Sequence, residues 1–392
     1  MFKVEFFFFK LFVLLSVFHN VTFAMPFGKF RLLHFGIPIM LITIANNFMC
    51  IKRSMRKYSH IWLFIIGGFF YGVFSYLYSC YSSGTIRIIF SMLLNLVVFY
   101  YFIAFLECYK DKVFLIFHFL KFFSGALCIL TVLQWFGALV HLVPISQVGE
   151  GFLGIGRPGL FLEDPNWMGY YIVFLYMMVD AMSKRCGMHI TKKYRFLIFI
   201  GLLFMQSRIL LLCFLFHYIY CVVNYRKLWI FIPFVLFLLF FFIDNSILLQ
   251  ILPERFVYDL TNNDNNPRLL DVENLSDEVS FYHRELYGMG WGSLGFIADD
   301  FPYRNYDTTI NVWPGQIYFD FGKVGIWIFT IVFLFSLLKI KGETYKIIFL
   351  FFILNCCFHM PGYYLYSWVL LGIFVFTYKN QLKIKENEIY TL

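Results

Sequence analysis

Residues 156–166 read Gly-Arg-Pro-Gly-Leu-Phe-Leu-Glu-Asp-Pro-Asn and lead directly into an apolar run at 167–179. Pro165 stands where a helix would begin, and Asp164 is suited to cap its first turn. A helix N-terminus offers unpaired N–H groups and a partial positive charge, which favour a phosphate group. Arg157 lies close by in the chain. The segment therefore predicts an anion site at the mouth of a helix, the alternative being an ordinary capped helix with an interfacial arginine.

A second arginine, Arg208, falls inside a long apolar stretch at 194–223. An arginine in the middle of an unbroken membrane helix costs at least about 2.5 kcal/mol. Dividing the stretch into two short helices that meet at Ser207-Arg208 moves this charge to the membrane surface. We therefore predict helices at 194–206 and 208–223 with the arginine at their junction. The alternative role for this arginine is to bind the backbone carbonyls of the helix hairpin.

Two further motifs lie in the last third of the chain. His283 and Arg284 precede the glycine-rich segment Tyr-Gly-Met-Gly-Trp-Gly-Ser at 287–293, and Asp320 begins Asp-Phe-Gly-Lys-Val-Gly. Glycines allow tight turns and close backbone approach, but the spacing lacks the Gly-Lys-Ser/Thr of a nucleotide-binding loop. His283 is either a surface residue or a proton acceptor. Asp320 is either a ligand contact or an ion-pair partner of Lys323.

Together these motifs predict an outer cavity surrounded by arginines. We expect Arg157, Arg208 and Arg284 to share it, joined by Arg268 and Arg304. Arginine keeps its charge and binds phosphate oxygens in pairs, so the cluster predicts a site for a lipid-linked phosphate or diphosphate. If the diphosphate leaves during a reaction, the same arginines stabilise the charge that develops.

The composition requires a membrane around these sites. Of the 392 residues, 61% are apolar, 23% aromatic and 14% charged, and the mean hydropathy is +0.73. A soluble globule has too little polar surface to cover so much apolar material, which excludes soluble enzymes, secreted disulfide scaffolds, coiled coils and disordered chains. We predict an all-α polytopic bundle of about 12 transmembrane helices, most of them near the roughly 20 residues that cross a bilayer. The predicted spans are 4–23, 34–51, 60–80, 86–106, 113–141, 166–182, 194–206, 208–223, 229–248, 317–338, 346–360 and 363–378.

The distribution of charge predicts the orientation. With both termini in the cytoplasm, 22 of the 32 Lys and Arg residues fall at the cytoplasmic side, so the net charge of +9 reflects orientation and not nucleic-acid binding. Three regions follow: a transmembrane bundle at 1–248 with an outer loop at 142–165, a large acidic periplasmic loop or cap at 249–316, and the last spans and tail at 317–392. A loop of that length in a helical bundle is usually functional or disordered.

In their order and sidedness the motifs resemble the O-antigen polymerase and ligase superfamily of bacterial envelope glycan assembly. The resemblance covers about residues 150–330 and is carried by Arg157 to Asn166, Ser207-Arg208, Arg284 to Gly292, and Asn311 followed by Asp320 to Gly325. It implies a multi-pass glycosyltransferase of the bacterial inner membrane that acts at the periplasmic face, with no metal and no cofactor. Ligases of this family carry a histidine directly before the asparagine that aligns with Asn311. Ile310 stands there in this chain, which favours a polymerase.

The resemblance also implies substrates and roles. The donor is a glycan on undecaprenyl diphosphate, and the acceptor in a polymerase is a second lipid-linked repeat unit. The residues expected to act in catalysis, as diphosphate-binding arginines or candidate proton acceptors, are Arg157, Arg208, Arg284, Glu163, Asp164 and His283. Those expected to bind substrate are Asn166, Arg268, Arg304, Asn311 and Asp320. Besides the bilayer, a chain-length regulator and a flippase are candidate partners, and no nucleic acid is expected.

Three other functions stay open. A ligase would transfer the glycan to lipid A–core instead of to a second lipid-linked unit. A flippase for lipid-linked glycans would be expected to show two related halves, which the sequence does not display. A membrane acyltransferase would need a catalytic histidine in its core, where His19, His217 and His359 are isolated and read as structural.

Overall fold

The computed structural model describes most of the chain, and the described part is mostly helical. The described residues are 2–18, 21–25, 28–57, 59–143, 156–162, 164–185, 187–222, 275–296, 313–359 and 367–378. The predicted span at 229–248 lies outside them. The α-helices of the described chain are α1 (Phe2–Ser16), α2 (Ile37–Asn46), α3 (Phe48–Lys57), α4 (Ser59–Phe74), α5 (Ser82–Cys108), α6 (Val113–Leu139), α7 (Pro165–Arg185), α8 (Lys192–Met205), α9 (Arg208–His217), α10 (275–281), α11 (Trp313–Lys339), α12 (Glu343–His359) and α13 (Ser367–Tyr378).

Short elements connect these helices. They are 3-10 turns at Leu32–Gly36, Ser75–Tyr78, Lys110–Lys112, Leu160–Leu162 and Ser293–Phe296, and a π-helical turn at Tyr218–Val222 that extends α9. A two-stranded antiparallel hairpin pairs β1 (Thr22–Met25) with β2 (Gly28–Arg31), and Thr22 lies opposite Arg31.

Three helical segments of the described chain are long and apolar enough to cross a membrane. They are Ser82–Cys108, Lys110–Leu139 and Pro314–Lys339. Several shorter apolar helices accompany them, among them Leu32–Asn46 and Ser367–Tyr378. The chain therefore has the helices of a membrane protein, as its composition predicts.

The first two predicted spans differ from the structure. The span expected at 4–23 ends early, because α1 stops at Ser16 and the hairpin follows, so the all-α expectation misses these strands. The β-branched and aromatic residues Val21, Thr22 and Phe23 favour an extended chain there. The span expected at 34–51 is divided between α2 and α3 at Asn47, whose side-chain amide donates to the Thr43 carbonyl at 3.0 Å.

The described contacts divide the chain into two compact units. The first unit contains Met1–Ile116 together with Arg268–Leu392, and the second contains Phe117–Pro267. In the first, the aromatic side chains of α1 pack on α5, where the rings of Phe9 and Phe105 stack 4.5 Å apart.

Helices α7, α8 and α9 pack together in the second unit. At one end they are joined by Asp180, which is 1% exposed and lies 3.3 Å from Lys184 Nζ, 3.7 Å from Arg195 Nη2 and 3.3 Å from His217 Nε2. The sequence interpretation of His217 as a structural histidine agrees with this position. The opposite ends of the same helices hold the first predicted arginine.

Candidate functional site

Arg157 lies in the second unit at a junction of three helix ends, and it is only 8% exposed. Its Nε donates to the Met205 carbonyl at 3.2 Å, and its Nη2 donates to Asn166 Oδ1 at 3.0 Å. Met205 is the last residue of α8, whose final carbonyls lack partners within the helix, and Asn166 is the second residue of α7. Both acceptors are neutral oxygens, and these two bonds orient the guanidinium.

Asn166 connects Arg157 to the third helix end. Its Oδ1 also accepts a hydrogen bond from Ser207 Oγ at 2.9 Å, and Ser207 directly precedes α9. The hydroxyl points to Asn166 and makes no capping hydrogen bond to α9. The N-terminus of α9 therefore begins next to Asn166 with N–H groups that this serine does not satisfy, and such an end favours an anion.

The predicted start of α7 is confirmed. Pro165 is its first residue, and Asp164 Oδ1 accepts the Asn166 N–H at 2.7 Å. The Asp164 carboxylate thus caps the helix that carries Asn166. Just before it, the Leu160 N–H donates to Gln134 Oε1 of α6 at 3.0 Å, which fixes the segment that carries Arg157.

The predicted division of the 194–223 stretch is confirmed as well. Helix α8 ends at Met205 and α9 begins at Arg208, so the arginine opens a helix instead of lying in the middle of one. Between them Gln206 adopts the left-handed conformation, and both polar atoms of its side-chain amide are buried with no hydrogen-bond partner within the described chain. The backbone here turns sharply enough to leave the Met205 carbonyl available to Arg157.

Strained backbone accompanies each of the three predicted arginines. In the described part of the chain, four non-glycine residues have φ in the left-handed region, and these are His141 (59°), Leu160 (49°), Gln206 (54°) and His283 (53°). Leu160 follows Arg157 by three residues, Gln206 precedes Arg208 by two, and His283 directly precedes Arg284. Such conformations cost on the order of 1–3 kcal/mol each and cluster at functional sites.

In the first unit, the glycine-rich segment 284–292 lies in a break in α11. The helix is non-helical at Gly322, where φ is 62° and ψ is −159°, and a break exposes the N–H and carbonyl groups of both new helix ends. The segment satisfies two groups at each end through backbone hydrogen bonds. These bonds run from Met289 N–H to the Phe319 carbonyl (2.8 Å), from Gly290 N–H to the Asp320 carbonyl (2.9 Å), from Lys323 N–H to the Glu285 carbonyl (2.8 Å) and from Val324 N–H to the Leu286 carbonyl (3.1 Å).

Glycine is required at this contact for two reasons. Gly288 and Gly322 have φ of 73° and 62°, in the region that favours glycine. A Cβ at Gly288 would lie 2.5 Å from the Phe321 nitrogen, and a Cβ at Gly322 would lie 2.5 Å from the Leu286 carbonyl. The glycines therefore let two stretches of backbone touch, and they do not form an open cradle for a phosphate.

Asp320 supports the same segment from within. It is fully buried, and its Oδ1 accepts the Gly292 N–H at 3.2 Å while its Oδ2 accepts from Gln316 Nε2 at 3.0 Å. The neighbouring Trp291 N–H donates to Ser75 Oγ at 3.0 Å. Asp320 thus positions the loop, and its predicted contact with substrate stays a prediction.

Arg284 is held less firmly than Arg157. It is half-buried, and its Nη1 donates to the Tyr78 carbonyl at 3.4 Å. Its backbone is fixed by hydrogen bonds to Val279 and Gly288. His283 beside it is exposed, so a ligand can reach its ring.

The structure thus arranges the predicted residues in two groups. Arg157, Asp164, Asn166 and the start of α9 come together in the second unit, and Arg284, His283 and Asp320 come together in the first. Other predicted residues lie outside the described chain, and these are Glu163, Arg268, Arg304 and Asn311. The side chain of Arg208 is not described either, and one cavity shared by all the arginines stays a prediction.

Sequence reasoning missed several residues of these groups. Gln134, Ser75 and the Tyr78 carbonyl hold the arginine segments in place. Gln134 had a usable signal, because an uncharged polar residue that interrupts an apolar stretch needs a partner. Ser75 and Tyr78 had none, since their partners lie more than 200 residues away in the chain.

Comparisons with protein-family models, with curated proteins and with solved structures find no match to this chain. Within the described residues, no group of three or more His, Cys, Asp or Glu side chains is placed to hold a metal ion.

Proposed function

We propose that this chain is a polysaccharide polymerase of the bacterial inner membrane. It joins oligosaccharide repeat units carried on undecaprenyl diphosphate and acts at the periplasmic face, with both termini in the cytoplasm. The apolar helices and the outer arginine motifs support a membrane enzyme of this kind, and the order of those motifs supports the polymerase class.

The observation that carries the proposal is the junction around Arg157. A buried guanidinium, oriented by two neutral oxygens and placed beside the N-terminus of α9, forms a positive site that is built before the ligand arrives. Electrostatic groups that need no reorganisation during the reaction are the most effective in stabilising developing charge. A diphosphate is the ligand whose charge and geometry fit a forked guanidinium at a helix N-terminus.

The reaction follows from that ligand. A hydroxyl of the acceptor sugar attacks the anomeric carbon of the donor, a new C–O bond forms, and the bond to the diphosphate breaks. The diphosphate leaves with the electron pair. Arg157 and Arg208 of the second unit stabilise its charge, and Arg284 of the first unit is a separate candidate for contact with a lipid-linked phosphate. The anomeric carbon passes through oxocarbenium-like character, as in other glycosyl chemistry.

The proton of the attacking hydroxyl needs an acceptor within hydrogen-bond reach. Of the candidates, Asp164 already uses one carboxylate oxygen to cap α7, which suits a positioning role. His283 is exposed beside Arg284 and is accessible to an incoming hydroxyl. His283 is therefore our first candidate for the proton acceptor, and Glu163 is the second.

The test uses a strain that lacks the gene and carries single variants. Arg157, Arg208 and Arg284 are each replaced by Ala and by Lys, membrane levels are confirmed, and the surface polysaccharide is resolved on a gel. The matched control is Arg87→Ala, which removes an exposed arginine of α5. We expect the three alanine variants to leave single repeat units on lipid A–core with the ladder lost, while the control keeps a normal ladder.

The other outcomes separate the alternatives. Unattached polymer in the arginine variants would identify a ligase. Repeat units that stay at the cytoplasmic face would identify a flippase. Normal ladders from every arginine variant would refute the arginine mechanism.

A further inference from the structure

The first unit contains an apolar cavity of about 430 Å³ that the arginine chemistry does not use. Its walls come from α4, α5, α11, α12 and α13, and they are almost entirely aliphatic and aromatic. Pockets that bind small organic ligands span about 300–1,000 Å³, so this cavity is large enough for one. Water does not fill it readily, because a buried water needs two to four polar partners.

Two glycines leave one wall of the cavity open. Gly67 and Gly68 of α4 are exposed, and a Cβ added to either would meet no atom within 4 Å. One turn further on, Gly72 differs, because a Cβ there would lie 2.2 Å from the Trp291 ring. Gly72 therefore serves close packing, whereas Gly67 and Gly68 leave space that a side chain would occupy.

The lining of the cavity includes a residue of the loop that carries Arg284. Trp291 of this loop and Phe321, which directly precedes Gly322 in α11, both form part of it. The Tyr71 ring, also in the lining, lies 5.2 Å from Phe321 between ring centroids. The lining of the cavity is thus mostly apolar, and it includes a residue of the loop that fills the break.

Further aromatic residues lie near Arg284. Tyr78 lies two turns after Tyr71, and its ring is 6.2 Å from that of Tyr287. The Tyr78 carbonyl accepts from Arg284 Nη1 at 3.4 Å. The path from the cavity therefore runs from hydrocarbon through phenol rings to a positive charge, which matches an amphiphile with an anionic head group and an apolar chain.

We propose that this cavity holds the head-proximal isoprenoid units of a polyprenyl phosphate or diphosphate, with the phosphate directed towards Arg284. The proposal rests on the proposed function for the choice of a polyprenyl chain over other hydrocarbons. The polyprenyl chain enters from the bilayer. The exposed glycines of α4 leave space at the cavity wall for this methyl-branched chain. The remainder of the chain stays in the lipid.

The test measures binding of undecaprenyl phosphate to the full-length protein in phosphatidylcholine nanodiscs by native mass spectrometry. Gly67→Leu and Gly68→Leu add a side chain at the cavity wall, where the Cβ has open space, and we expect each to weaken binding at least tenfold. Gly67→Ala adds a single carbon, so its effect should be much smaller. Ile331→Phe is the control for added apolar bulk, because Ile331 is 61% exposed and does not line the cavity.

A second set of binding measurements tests whether the phosphate of the bound lipid lies towards Arg284. Wild-type protein should prefer undecaprenyl phosphate over undecaprenol, and Arg284→Gln should lose most of that preference while still binding undecaprenol. Thermal midpoints equal to wild type establish that each variant is folded. Wild-type affinity in both leucine variants, or displacement by an equal amount of phosphatidylglycerol, would overturn the proposal.

This outcome is independent of the polymerase assay. If the leucine variants lose undecaprenyl phosphate while the arginine variants of the gel assay keep normal ladders, the lipid site stands and the proposed function fails. If the arginine variants lose the ladder and the leucine variants bind normally, the proposed function stands and the cavity is not the lipid site.

Discussion

The Arg157 and Arg284 sites position the same chemical group in opposite ways. Arg157 is buried, and its guanidinium is held by a side-chain network that joins three helix ends. Arg284 is half-buried and makes a long hydrogen bond to one carbonyl, while its backbone is fixed by a glycine-rich loop set into a broken helix. The first site depends on side chains, and the second depends on backbone that only glycine permits.

This difference indicates which substitutions should damage each site. At the Arg157 site, a single polar atom can be removed while the fold persists, so the effects should appear in activity. At the Arg284 site, an added methyl group forces two stretches of backbone apart, so the effects should appear in folding.

The largest effect is expected from Gly288→Ala and Gly322→Ala. Each adds a Cβ 2.5 Å from backbone atoms at a residue with left-handed φ, and we expect a loss of about 3–5 kcal/mol of stability. The yield of monodisperse protein and its thermal midpoint measure this loss. Gly68→Ala is the control, because open space surrounds its Cβ, and its stability should be unchanged or slightly raised. Equal behaviour of all three variants would contradict the role of the loop in the break.

Arg157→Lys should give the next largest effect, and the property that it lowers is activity and not stability. A lysine cannot reproduce both the Nε bond to Met205 and the Nη2 bond to Asn166, and loss of one preorganised donor costs about 10²–10³ in rate. We expect the in vitro polymerisation rate to fall about 100-fold with membrane levels retained. Arg284→Lys should lose about tenfold, since its guanidinium is held by one long bond. If Arg284→Lys lowered the polymerisation rate more than Arg157→Lys, the proposed difference between the two sites would be wrong.

Asn166→Asp should separate the effect of guanidinium orientation at Arg157 from the effect of added negative charge. The carboxylate keeps an acceptor for both Arg157 and Ser207, so the thermal midpoint should be maintained. Its negative charge competes with a bound diphosphate, and we expect KM for the lipid-linked donor to rise about tenfold with a smaller change in kcat. Asn166→Ala, which removes the acceptor altogether, should lower the thermal midpoint. A wild-type KM in the Asp variant would exclude Arg157 as a diphosphate ligand.

The smallest effect is expected from Ser207→Ala. It removes one hydrogen bond between neutral groups, which is worth about 1 kcal/mol and hence roughly fivefold in activity. Ser207→Thr keeps a hydroxyl and should behave close to wild type in the same assay. If Ser207→Ala were as damaging as Arg157→Ala, the serine would have to contact the substrate itself.

Local physical chemistry predicts the Arg157 site better than the Arg284 site. The cost of a charge in mid-membrane predicts the helix break before Arg208, and Pro165 with Asp164 predicts the start of α7; both are confirmed. The docking of residues 284–292 into α11 was not predictable, because the bonds depend on the conformation of Gly322 and on partners outside the motif. The hairpin after α1 was missed for another reason, since Val21 to Phe23 are as apolar as the helix before them.

The break in α11 has a consequence for the order in which the protein is synthesised. Unsatisfied backbone groups cost several kcal/mol each in a bilayer, so neither half of this helix is stable there with a bare end. Residues 284–292 leave the ribosome before residues 313–339, and the loop is therefore complete when the helix that needs it emerges. The backbone groups that bind the two ends of the break are therefore already present in the nascent chain when α11 is synthesised.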